Sequence, residues 1–201
     1  MSDIAVQKKI QLSEILHEGY QIGSKNIGPI VVNALLWILT IWIPYINIGT
    51  TIGMTVGIII KASKGETISM TEIFNPQYRK YMGEFFLTIG LVGIGTGIGF
   101  ALFFIPGCVI ALAWMFAPLL VIDKAKNPME AIFLSNKLTY GNKGAIFIAF
   151  AIPLVISIIL MGIVLLIPVL GGLLVFGVSL LLALFTVGIQ ASLYKNLAAD
   201  V

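Results

Sequence analysis

The chain has 201 residues, 59% of them hydrophobic and only 10% charged, with a mean hydropathy of +1.05. A soluble domain is roughly half apolar and about a quarter charged, so the composition excludes one and supplies enough apolar sequence for about six segments of ~20 residues, the length that crosses a ~30 Å hydrocarbon core. Twelve Lys and Arg against nine Asp and Glu leave +3, which excludes a basic nucleic-acid surface, and one Cys with one His excludes a disulfide framework and a Cys/His zinc site within the chain.

Residues 1–26 are polar and carry Lys8, Lys9 and Lys25. They show neither the apolar stretch nor the small-residue cleavage site of a secretory signal, so Met1 is read as retained and the first span as uncleaved. Leu12, Ile15, Leu16 and Tyr20 recur at helical spacing and predict an amphipathic helix before the first apolar run. Two more such helices are predicted downstream. Ser69-Met70-Thr71-Glu72 fits a capping box, and Asn127-Pro128-Met129-Glu130 fits the same scheme with Pro at the first helical position. Each is read either as an interfacial helix meeting anionic lipid or as a connector over the inner mouth of the bundle.

Six apolar runs are the predicted spans: Ile27–Ile43, Ile46–Ala62, Phe85–Ile105, Cys108–Ile122, Ala145–Ile167 and Gly171–Tyr194. They pair through the tight turns Pro44-Tyr45-Ile46-Asn47, Pro106-Gly107 and Pro168-Val169-Leu170-Gly171-Gly172. Backbone polar groups in lipid must be satisfied locally, which makes the spans helices. Cys108–Ile122 measures only ~22 Å at 1.5 Å per residue, so the hairpins either cross fully or dip in and return. No Lys or Arg lies in the tight turns. The loop cations are Lys61, Lys64, Arg79 and Lys80 in one long loop and Lys124, Lys126, Lys137 and Lys143 in the other, with Lys195 near the end. The positive-inside rule then places both termini and both long loops in the cytoplasm, with Trp42 and Tyr45 at the outer boundary and Tyr78, Tyr81, Tyr140 and Tyr194 at the inner one.

Two markers recur. Ile43-Pro44, Ile105-Pro106 and Ile167-Pro168 are 62 residues apart, and Glu14, Glu72 and Glu130 are 58 apart, each beside apolar residues. A glycine opens each first span, at Gly28, Gly83 and Gly144. The expected fold is an all-α integral membrane protein: one membrane domain over 1–201, with six transmembrane helices in three hairpin repeats (about 10–62, 68–122 and 127–194). A short cytoplasmic amphipathic helix precedes each hairpin.

The middle of the chain holds Ile105-Pro106-Gly107, Phe116-Ala117-Pro118, Asp123, Asn127-Pro128, Glu130-Ala131-Ile132, Ser135, Leu138-Thr139 and Gly141-Asn142-Lys143. This stretch, roughly 100–150, resembles the membrane region attached to some bacterial glycerophosphodiester phosphodiesterases and a group of related, largely uncharacterised multi-span bacterial proteins. The resemblance implies a six-span module in the inner membrane. It does not imply an enzyme, because the phosphodiesterase activity belongs to a soluble domain that this chain lacks.

The residues themselves offer little chemistry. No Asp, Lys, Arg or His lies at mid-membrane depth, where coupled transporters place ionisable groups, and Glu84 stands only at the inner edge of the third span. Glu84 reads as a structural group at a helix start or as an ion site. His17 reads as a solvated helix position or a pH sensor, and Cys108 as a packing residue or a reactive thiol. Catalytic, metal and cofactor residues are expected to be none. Gly49, Gly53 and Gly57 on the second span, with Gly93 and Gly97 and also Gly95 and Gly99 on the third, form small-xxx-small faces that pack those spans together within one chain or join chains in a homo-oligomer. Pro118 and Pro153 interrupt spans and free the carbonyls of Trp114 and Ala149, and Pro118 is the candidate for a kink lining a path. The leading expectation is a non-enzymatic membrane-organising, scaffold or lipid-interacting module. Its basic loops (Lys61, Lys64, Arg79, Lys80, Lys124, Lys126, Lys137, Lys143) would face anionic headgroups or a cytoplasmic partner. The alternative is a channel or a permease for a lipid or small solute.

Overall fold

The computed structural model describes residues 9–167 and 171–199, and within them every regular element is helical. In chain order these are α1 (Leu12–Lys25), α2 (Ile27–Thr40), α3 (Pro44–Ile52), a widened π turn (Gly53–Gly57), α4 (Ile58–Lys64), two 3₁₀ turns (Glu72–Phe74 and Pro76–Arg79), α5 (Met82–Leu102), α6 (Phe104–Trp114), α7 (Ala117–Lys124), α8 (Pro128–Thr139), α9 (Lys143–Val164) and α10 (Gly171–Leu197). Five stretches are long and apolar enough to cross a membrane: Pro44–Lys64, Met82–Leu102, Phe104–Lys124, Lys143–Val164 and Leu174–Leu197. The pair α1 and α2, bent by 69°, makes a sixth if taken as one broken span. Alone, α2 has 14 residues, or ~21 Å, less than a hydrocarbon core.

The turns differ in place from those expected, for one physical reason. A proline in the first turn of a helix costs nothing, because its missing N–H would have had no intrahelical partner there. Pro44 therefore opens α3, and Tyr45 to Asn47 form its first turn instead of a reversal. Pro106 and Gly107 likewise lie inside α6, while the reversal falls on Phe103, which is fully extended (φ −159°, ψ 154°). That shift lengthens the 15-residue fourth run to the 21 residues of Phe104–Lys124. Of the third turn, Pro168 to Gly172, the first three residues lie outside the described residues, as do Met1 and Lys8, while Gly171 and Gly172 open α10.

Of the three predicted amphipathic helices, α1 and α8 form and the middle one does not. Pro76 holds Asn75 extended (φ −61°, ψ 120°) and splits the segment into two 3₁₀ turns. The capping box there is half made: Glu72 accepts from the Ser69 N–H, but the Ser69 hydroxyl takes the Thr71 N–H in place of that of Glu72. At α8 the cap is complete, with Asn127 Oδ1 accepting from Glu130 N at 2.9 Å and Pro128 following it. The inward stripe of α1 also differs from the predicted one. It is Ile15, Gly19 and Gly23, while Tyr20 is 64% exposed.

The helices α2, α5 and α9 begin alike. The residue before each, Asn26, Tyr81 and Asn142, has φ of −109°, −114° and −113° with ψ of 19°, 33° and 0°. Gly28, Gly83 and Gly144 are each the second helical residue. Two and five residues later the side chains are buried in all three cases: Ile30, Phe85 and Ile146, then Asn33, Thr88 and Ala149. Each segment preceding one of these helices packs on another of the long helices. α1 lies along α10, the Glu72–Tyr78 segment along α3 and the π turn, and α8 along α6 and α7.

Candidate functional site

Three junctions of charge and one apolar cavity are the features with chemistry to examine. The first junction centres on Glu72. Its carboxylate is buried and accepts from Lys61 Nζ at 2.9 Å, Tyr78 Oη at 2.8 Å, Asn75 Nδ2 at 3.2 Å and the Ser69 N–H at 3.3 Å. Burial pushes this carboxyl up, but the hydrogen bonds from Lys61, Tyr78, Asn75 and Ser69 together outweigh it and hold the group below its ordinary 4.5. Burial, and then the bond to Glu72 and its charge, push the Tyr78 phenol up. The buried Asn33 of α2 completes this region: its Oδ1 accepts from Ile73 N at 3.0 Å and its Nδ2 donates to Ser69 O at 2.8 Å. Beneath this segment Gly53 admits the Ile73 backbone, where a Cβ would lie 2.6 Å from Ile73 Cα.

The second junction joins three helix ends. Asp123 at the end of α7 pairs with Lys64 of α4, accepts from Tyr194 Oη of α10 at 2.9 Å, and lies 3.9 Å from Lys124 Nζ. The third ties α1 to the end of α10, where Glu18 accepts from Lys195, Ser192 and, at 2.8 Å, Asn196 Nδ2. Further along that contact the helix axes approach so closely that a methyl group at Gly188 would overlap the Gly19 carbonyl, and one at Gly23 would lie 2.7 Å from Leu184 O.

These partners change the reading of the loop cations. Lys61 and Lys64 are joined to buried acids, Lys126 pairs with Glu130 at 2.7 Å, and Lys143 donates to Asn136 at 3.0 Å and sits over the Tyr140 ring. Lys124 is close to Asp123, and Lys80 lies over Tyr81. Lys137 stays on the exposed face of α8 with Met129, Phe133 and Tyr140. Arg79 requires a correction to the expected topology. Its guanidinium lies against Gly49 and 5.9 Å from the Tyr45 ring centre, so Arg79 and Tyr45 are not on opposite faces of a ~30 Å core.

The glycine faces are also corrected. Gly49, Gly53 and Gly57 do pack within the chain, but against Arg79, Ile73 and Tyr78 of the connecting segment, not against the third span. Gly93 and Gly97 have nothing within 4 Å of a would-be Cβ. Of the two glycine faces on α5 it is the other that makes contact, and with α6 instead of the second span: Gly95 on Trp114 and Gly99 on Gly107 and Ile110. The reason is local: α5 and α6 are joined through Phe103 alone, so α6 folds back on the C-terminal part of α5.

Pro118 is not a kink inside a helix. The helix already stops at Trp114, and Pro118 is the second residue of α7. At the break α8 meets backbone groups other than the Trp114 carbonyl: Ser135 Oγ donates to Ala113 O at 2.8 Å and accepts from Phe116 N at 3.1 Å. Phe116, Ala117, Leu119 and Leu120 fill the space around the break completely. Pro153 does sit inside the continuous α9, and there the structure has a cavity of about 320 Å³. It lies between the end of α1 (Tyr20, Gly23, Ser24), α9 (Pro153, Ile156, Ser157, Leu160) and α10 (Leu181, Leu182, Leu184, Phe185), with Ile27 beside it. A second, polar cavity of about 400 Å³ lies across α1, bordered by Glu18, Lys25, Glu66 and Lys195. Glu84 and His17 are exposed, His17 sharing a hydrogen bond with Gln21, and Cys108 is half-buried.

The sequence alone did not point to Glu18, Asp123 or Ser135 as site residues, and it showed Glu72 only as a repeat marker and as the acid of a capping box. Ser69, Asn75 and Tyr78 are near Glu72 in the chain, but its lysine is 11 residues away. The Lys64 and Tyr194 partners of Asp123 are 59 and 71 away, and those of Glu18 are 174 to 178 away, so no local pattern encodes them. Compared with known proteins, the chain matches no family model, no curated protein and no solved structure.

Proposed function

We propose that this protein is a non-enzymatic integral membrane protein that binds bilayer lipid and organises the membrane around it, with both termini on the cytoplasmic side of the inner membrane. The observation that carries the reading is the separation of charge from apolar surface. The buried acids Glu72 and Asp123 and the half-buried Glu18 hold elements together, while α5 and α9 turn large apolar side chains outward, including Ile94, Ile98, Ile158 and Ile159, each 57–65% exposed. The exposed face of α8 suits headgroup contact, because the apolar and aromatic Met129, Phe133 and Tyr140 lie there beside a lysine, Lys137, as side chains at a membrane interface do.

Three hairpin repeats underlie the architecture in this reading. The matched starts of α2, α5 and α9 support it, and so does the way each preceding segment packs on the second helix of another unit: unit two on one, unit three on two, and unit one on three through α1 and α10. The three units thereby close into a ring. In the first unit, the short α2 and the Arg79–Tyr45 contact favour a hairpin that dips into the bilayer and returns. The burial of Phe116, Ala117, Leu119 and Leu120 around Pro118 weighs against the transport alternative at that point of its route.

Native mass spectra of the protein released from lipid nanodiscs test the proposal, together with solute flux in liposomes. Retained phospholipid and flux equal to that of empty vesicles are expected. Flux above that level, or a protein stripped of all lipid under gentle release, would overturn it.

A further inference from the structure

The cavity beside Pro153 is lined by none of the charged residues of the three junctions. Pro153 stands ten residues into α9, or ~15 Å from its start, and Leu160 is seven residues further, so the cavity lies at hydrocarbon depth in a helix that crosses the bilayer. Its rim is formed by side chains turned outward: Ile156 is 52% exposed, Leu160 44% and Leu181 63%. What surrounds such a rim is hydrocarbon, and the walls offer only the hydroxyls of Ser24, Ser157 and Tyr20 among aliphatic and aromatic groups. At about 320 Å³, it stands at the small end of the ~300–1,000 Å³ range of ligand sites, room for one chain and not for a whole phospholipid. The walls are rigid where it matters. Gly23 is locked on the Leu184 backbone, and Tyr20 packs edge-on against Phe185 at 6.4 Å.

We infer that this cavity is a binding site for one acyl chain of a bilayer phospholipid, entering laterally between α9 and α10 and ending against α1. The inference rests on the lipid-binding reading above and names the place where it happens. It also gives α1 a role: α1 is both the end wall of the site and, through Glu18, the element clamped to Lys195 and Asn196.

The test uses the full chain in vesicles of phosphatidylglycerol and phosphatidylcholine that contain a phosphatidylglycerol with a photoactivatable diazirine in mid-chain. Adducts are mapped by peptide mass spectrometry. Saturable labelling of Ile156–Leu160 and Leu181–Phe185 is expected, removed by excess unlabelled lipid. Ser157→Phe, which fills the cavity, should reduce it about tenfold, the equivalent of about 1.4 kcal/mol, whereas Ser157→Ala should leave it intact. If Ser157→Phe does not fold, Leu160→Trp at the rim serves the same purpose. Labelling spread evenly over the outward faces of α5, α9 and α10, or unchanged by the filling variants, would overturn the site. In that event, lipid retained in native mass spectra would leave the broader reading standing, and its loss would remove both.

Discussion

At Ser135 one hydroxyl serves two backbone groups, and this shows how single side chains hold the broken fourth span. Replacing it by alanine leaves Ala113 O with only a 3.4 Å contact from Thr139 and Phe116 N with no acceptor in its place. Each buried group without a partner costs about 1–3 kcal/mol, so Ser135→Ala should destabilise the protein by at least that much in a detergent unfolding titration. Glu72 makes a pH-dependent contribution. Its folded carboxyl is held below 4.5, so the stabilisation is complete above the unfolded value and disappears as the pH falls through the folded one. Glu72→Gln should therefore be less stable than the parent at neutral pH, and the gap should close on acidification below pH ~4, as the wild-type carboxylate takes up a proton. Thermal unfolding at a series of pH values checks both statements. The type of residue at 72 and 135 was visible in the sequence. Their importance was not, because it lies in Lys61, Tyr78, Ala113 and Phe116, which only folding brings near.

At the scale of elements, the glycines separate packed helices from open ones. Gly188→Ala drives a methyl group into the Gly19 carbonyl and Gly53→Ala into the Ile73 backbone, neither of which can yield as a side chain would. Both should cost about 1–3 kcal/mol or more, the range for overfilled interiors. Gly97→Ala meets open space and should stabilise α5 by about 0.5–1 kcal/mol. A destabilised or dissociated protein from Gly97→Ala would instead reveal a helix docked on that face. The sequence marked Gly53 and Gly97 as contact faces but paired their spans with each other, and it gave no sign of Gly188. Small residues permit close approach by any backbone, and which backbone arrives depends on connections: Phe103 is a one-residue link that commits α5 to α6, and Pro76 breaks the segment that then lies across Gly53 and Gly57.

For the whole molecule, the contact between Arg79 and Tyr45 makes a topological prediction. With Cys108 changed to alanine, single cysteines at Tyr45 and at Arg79 should react with a membrane-impermeant maleimide from the same side of the bilayer. Labelling from opposite sides would restore a fully crossing first hairpin. The amino-acid sequence by itself determined that the protein is helical and built for a membrane, since 59% apolar composition and runs of about twenty apolar residues leave no other way to satisfy the backbone. It also located helix starts at Gly28, Gly83, Gly144 and Asn127, where the signal is carried by neighbours in the chain. Tertiary structure alone decided where the reversals fall, which acids are buried, how α1 returns to α10 and where an apolar cavity remains. Those depend on free energies between surfaces far apart in sequence: a proline is silent in a first turn, a lysine is drawn to whichever buried carboxylate the packing presents, and a cavity exists only where three helices fail to close.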